Sequence, residues 1–239
     1  MLAGILAAAG GFFGSVLGAV CGLGIGIVTM IILPYAIDTY EASCVVGLVS
    51  IFQAVWLAWV YRKNIRIRSI LPPLAAYFVI TWIMVPLMKN FSAGMLRNVL
   101  GAVLVLIGIY FIFFAGRIRV KMNVRNGIAA GSITAVLMSM FSVGGPPMSL
   151  FYGSAFDDKE EYLGTMNFFF SITNLYLSAL RVINGFINAT VLECLVWATV
   201  GMIAGTLIGN KIFSRLNADG VRKCSYALML VSGLIMVLE

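Results

Sequence analysis

Two glycine-rich breaks interrupt long apolar stretches of this chain. One reads Gly22-Leu23-Gly24-Ile25-Gly26 and the other Ser142-Val143-Gly144-Gly145-Pro146-Pro147. Each is followed by a short apolar run and then an acidic patch: Asp38 and Glu41 after the first, Asp157, Asp158, Glu160 and Glu161 after the second. A break inside lipid exposes backbone N–H and C=O groups where no bulk water satisfies them. It is tolerated only where it is buried in protein or lines a cavity. Paired breaks in the two halves of a chain therefore point to a transport site.

The setting is membrane. Hydrophobic residues make up 62% of the chain and charged residues 10%, against the roughly 25% charged of a soluble domain. The formal charge of +7 does not indicate nucleic acid. The basic residues sit in short loops between apolar runs, as topology anchors do. No Lys or Arg precedes Arg62, so the start lacks the basic region of a cleaved signal peptide.

The hydropathy pattern predicts an all-α integral membrane protein built as two repeats. The first (1–116) holds a broken hairpin over 2–36 and spans near 42–61, 70–88 and 96–115. A basic cytoplasmic linker covers 117–126. The second repeat (127–239) holds a broken hairpin over 127–156 and spans near 162–180, 191–212 and 224–238. The closing helices align from Leu96-Arg97 and Val221-Arg222, bringing Ala102 onto Ala227 and Gly108 onto Gly233. Ser50-Ile51-Phe52-Gln53 likewise aligns with Ser171-Ile172-Thr173-Asn174.

Loop charge chooses the topology. If each broken stretch crosses the bilayer once, Lys and Arg divide 9 inside to 7 outside. If each is a hairpin that leaves on the side it entered, they divide 13 to 3. The positive-inside rule prefers the second division. Each repeat then crosses three times, so the repeats are inverted and their glycine tips meet near the midplane.

A half-helix starting at a break directs free N–H groups and the positive end of its dipole at the cavity. Gly24, Gly26, Gly144 and Gly145 leave the backbone open to close approach. Pro146 and Pro147 suit a helix start. Thr29, Ser50, Gln53, Ser142, Ser171, Thr173 and Asn174 add hydroxyls and amides. The substrate-binding set expected is Gly24, Gly26, Thr29, Gln53, Ser142, Gly144, Gly145, Pro146, Ser171 and Asn174. Gly11, Gly14 and Gly18 read as helix-packing glycines.

The chain has no His, and Glu193 is the one carboxylate inside an apolar run. A cation transporter normally shows buried carboxylates, and a metal or acid–base enzyme needs ligands and a base. Neither an enzyme nor a cofactor nor a metal is expected. An anion held by N–H and hydroxyl dipoles, without a basic side chain, fits best. Arg97 and Arg181 read as outer interfacial anchors. Cys21, Cys44, Cys194 and Cys224 show no ligand spacing and read as small apolar residues.

At Gly22 to Gly26 with Pro34, at Phe141 to Pro147 and at Leu163-Gly164-Thr165, the chain resembles the TauE/SafE family of sulfite exporter-like permeases, also called TSUP. The resemblance covers essentially the whole chain. It implies movement of small anions, often sulfur oxyanions or organosulfonates, across the plasma membrane. The expectation is a secondary transporter with its ligand between the tips. An anion channel with the same pore, a transporter of a small carboxylate and a scaffold without substrate are the alternatives. Expected partners are a small inorganic or organic anion and membrane lipids, with no nucleic acid. A homodimer is compatible with the chain.

Overall fold

The computed structural model describes residues 2–21, 25–114, 120–153 and 155–215. Gly22, Leu23, Gly24, part of the basic linker and the last expected span (224–238) lie outside the described residues. Among the described residues every regular element is helical, and six helices are long and apolar enough to cross a membrane. The chain is an all-α integral membrane protein.

The first broken stretch forms α1 (Leu2–Cys21) and α2 (Gly26–Ile32), and a 3-10 turn over Leu33–Tyr35 follows. Helix α2 runs back along α1. Thr29 Oγ1 donates to the Gly10 carbonyl at 2.9 Å, and Gly14 lies against the Ile25 carbonyl. Next come α3 (Thr39–Val60), α4 (Ile67–Leu87) and α5 (Ala93–Phe114). The second broken stretch forms α6 (Val124–Phe141) and α7 (Gly145–Gly153), and α8 (Lys159–Ile183) and α9 (Ala189–Arg215) complete the description. Gly127 at the start of α6 lies beside the Phe151 ring near the end of α7, so this stretch also doubles back. At 1.5 Å per residue α7 is roughly 14 Å long, too short to cross a core of about 30 Å.

The acidic patches after the breaks start helices. Asp38 caps α3 by accepting from the Tyr40 N–H, and Asp158 caps α8 by accepting from the Glu160 N–H, both at 2.8 Å. Glu41, Glu160 and Glu161 lie in the first turns, where the helix dipole favours acid. The described spans begin two or three residues earlier than hydropathy alone set them, and α8 and α9 also end three residues later. Polar caps extend the helices past the apolar run, and α8 thereby gains Arg181.

Three helix pairs organise the bundle: α1 with α9, α4 with α6, and α3 with α8. The first two are drawn close by glycine. A Cβ on Gly201 or Gly205 would overlap the α1 backbone at Ala8 or Phe12, and one on Gly131 would overlap Pro73. That approach is the usual use of small residues between membrane helices. Pro73 has no N–H for the Ser69 carbonyl four residues back. Tyr152 Oη donates to that carbonyl instead, at 3.3 Å.

Helices α3 and α8 run antiparallel. At one end Ser43 meets Arg181. At the other, Tyr61 packs on Gly164, and the Arg66 N–H donates to Thr165 Oγ1 at 3.0 Å. Arg66 pairs with Glu161, and Tyr61 Oη donates to Asn210 at 2.8 Å. Burial pushes the Tyr61 phenol up to about 12, with nearby Glu160 adding to the rise.

Candidate functional site

The two breaks touch. Gly26, the first residue of α2, is packed so tightly on the Ser142 carbonyl that a Cβ there would overlap it, and Val143 is next to it. Beside this contact lies a small cavity lined by Gly26, Ser50, Gln53, Ala54, Met138, Ser142, Gly144, Gly145, Asn167, Phe170 and Asn174. Its free volume is about 20 Å³, room for about one water.

Each element supplies this wall for a local reason. Helix α6 ends at Ser142, which takes the left-handed conformation at φ 54° and returns its N–H to the Met138 carbonyl at 2.9 Å. Glycine or asparagine usually holds this place. Serine is kept here with its side chain fully engaged: Oγ donates to the Ser43 carbonyl at 2.8 Å. Gly144 lies hard against Met138 and Thr134. Helix α7 then opens at Gly145. Pro146 and Pro147 fill its first turn without N–H groups, which leaves the glycines as the donors at this end.

Helices α3 and α8 supply the polar side chains. Gln53 Nε2 donates to the Ser15 carbonyl at 2.7 Å and to Thr206 Oγ1 at 3.1 Å, so one amide ties α3 to α1 and α9. Asn174 Nδ2 donates to Phe170 of its own helix at 2.9 Å, and its Oδ1 is buried without a partner. Asn167 Nδ2 donates to Leu163 at 2.9 Å.

Of the residues expected at the site, Gly26, Gln53, Ser142, Gly144, Gly145 and Asn174 line the cavity, as does Ser50. Thr29, Pro146 and Ser171 are not in its wall. Thr29 spends its hydroxyl on Gly10 and Ile25, and Ser171 bonds to Phe168 of its own helix at 2.8 Å. Thr173 likewise bonds to Phe169 at 3.0 Å. Gly24 lies outside the described residues, as does the Cys21 side chain. Cys44 and Cys194 are buried free thiols, and Glu193 is exposed on α9, away from the cavity.

One expectation is overturned. Arg181 is no interfacial anchor: it is 1% exposed. Nη1 donates to the Ser43 carbonyl at 2.9 Å and to Ser142 Oγ at 3.0 Å. Nη2 donates to Ser43 Oγ at 2.7 Å and to the Met138 and Ser139 carbonyls at 3.2 Å each. The Tyr40 ring lies 5.3 Å from the guanidinium. The bundle thus does bury a cation, one hydrogen bond behind the cavity wall. Asn167 was also missed. Both were readable: Asn167, Asn174 and Arg181 fall every seventh residue, which keeps them on nearly one face of a helix.

A bundle of spanning helices with a cavity of mixed amide, hydroxyl and apolar lining where two hairpin breaks meet has the layout of a membrane permease. The family model for the sulfite exporter TauE/SafE matches residues 6–236, and the chain belongs to that family. It is a multi-pass plasma-membrane protein of a family of transporters for sulfur-type anions. No curated protein and no solved structure matches it.

Proposed function

We propose that this protein is a secondary transporter that binds a small sulfur oxyanion or organosulfonate, sulfite-like in size, in the cavity between the two breaks. The observation that carries the reading is the meeting of Gly26 with Ser142 beside a cavity lined by neutral amides, hydroxyls and glycine backbone. Among the described residues, that wall holds no carboxylate, which a cation would need. Inverted repeats are the favoured architecture. Support comes from the antiparallel α3 and α8, each preceded by a hairpin, and from the matching of α1 against α9 with α6 against α4. Alternating access would then move one hairpin-bearing unit against the rest.

Sulfite flux in proteoliposomes tests the site. Asn174→Leu replaces a side-chain amide of the wall with an apolar group and fills the space, and flux should fall about tenfold or more. Wild-type flux from a folded Asn174→Leu protein would remove the site assignment. Saturable flux with counter-flow separates a transporter from a channel, whose flux stays linear with concentration.

A further inference from the structure

We propose that Arg181 is the residue that makes this cavity select anions, by cancelling the negative end of the broken helix α6. This inference rests on the site assigned above. A break offers a ligand two helix ends of opposite sign. The start of α7 is positive and favours an anion. The end of α6 is negative, because its last carbonyls lack intrahelical partners, and it repels one. Without a further charge the two ends offset each other.

Arg181 sits on the repelling end. Its Nη2 takes the Ser139 carbonyl and shares the Met138 carbonyl with the Ser142 N–H, and Nη1 holds the hydroxyl of Ser142, which lines the cavity. All five of its hydrogen-bond acceptors are neutral: three carbonyls and two hydroxyls. Nε is buried without a partner, and the one ion pair among the described residues is Arg66 with Glu161, at the far end of α8. A buried guanidinium that serves only as a structural tie is usually balanced by a carboxylate. Here the local positive charge is left for a ligand to balance. The hydroxyl of Ser142 is the link: its proton is given to Ser43, so it does not donate into the cavity, and it relays the field of Arg181 from behind the wall. Arg181 is therefore a positioning and charge-selecting residue that the anion need not touch.

The test supplies the missing counter-ion inside the folded protein. Ser43 Oγ is 2.7 Å from Nη2, so Ser43→Asp sets a carboxylate beside the guanidinium. The purified variant should melt at or above the wild-type temperature yet lose sulfite affinity by about tenfold or more, as should Arg181→Gln. Arg181→Lys, which keeps the charge and loses the fork, should stay within a few-fold of wild type. A purely structural Arg181 predicts the reverse order: Gln and Lys equally destabilised, and Ser43→Asp binding sulfite as wild type does. Wild-type sulfite affinity in folded Ser43→Asp or Arg181→Gln protein overturns the inference. If Ser43→Asp does not fold, the Gln and Lys pair decides: Gln binding as well as Lys overturns it. Failure of the wild type itself to bind sulfite or any other small anion would instead defeat the site on which the inference rests.

Discussion

The two breaks solve the same problem with different chemistry. Each ends a helix in apolar surroundings, and each arriving helix has a carbonyl taken by a side chain from outside, in the body of α1 and in the last turn of α6. For α1 the donor is the Gln53 amide on Ser15; for α6 it is the Arg181 guanidinium on Met138 and Ser139. An amide satisfies a carbonyl and leaves the local field nearly as it was. A guanidinium satisfies it and adds a full charge. The first break thus reads as the structural half of the site and the second as its electrostatic half.

That contrast can be attacked at four points. The largest effect is expected from Gly26→Val. Its side chain must displace the Ser142 backbone, and overpacking of this kind costs about 3 kcal/mol. Melting in detergent should show a large loss, and a stable, active Gly26→Val protein would mean the tips do not meet.

Gln53→Leu comes next. It removes two interhelical bonds and should lower stability by about 1–2 kcal/mol while leaving the preference for anions over neutral solutes intact. Loss of that preference in a flux assay would place electrostatic work at the first break too. Thr29→Val removes the tie from α2 to Gly10 and should cost about 1 kcal/mol in reversible unfolding, with sulfite affinity unchanged.

The smallest effect belongs to Ser171→Ala, under about 0.5 kcal/mol, because its hydroxyl bonds within its own helix. Its sequence-aligned counterpart, Ser50→Ala, lies on the cavity wall and should reduce sulfite flux where Ser171→Ala does not. Equal flux from the two would argue against an asymmetric site.

Much of the helix order was legible because apolar length, breaks and loop charge are properties of the chain alone. The acidic patches were legible as a repeated feature, and their role as caps emerged only with the helix starts at Thr39 and Lys159. Rotation of a helix about its axis was less legible. Ser171 and Asn174 are three residues apart and each bonds a carbonyl of its own helix, yet only Asn174 lines the cavity. Thr29 instead turns to the Gly10 carbonyl of α1 and to Ile25. Arg181 was lost through a boundary: the apolar run stops at Leu180, and a basic residue just past such a run is ordinarily an anchor. What rescues it from that role is Ser43, 138 residues distant in sequence, whose carbonyl and hydroxyl both receive it.

The wall around the breaks is uneven in stiffness. Glycine and the engaged Ser142 form a hard side, and Met138 and Phe170 form the side that can yield by changing rotamer. With space for about one water, the cavity would take the proposed ion only after these two side chains swing aside. They would then govern how often the ion is admitted, while the hard side would govern how well it is held. Stiffening Met138 to a β-branched residue should then slow turnover and leave affinity alone, so that the clock and the balance of this site reside in different residues.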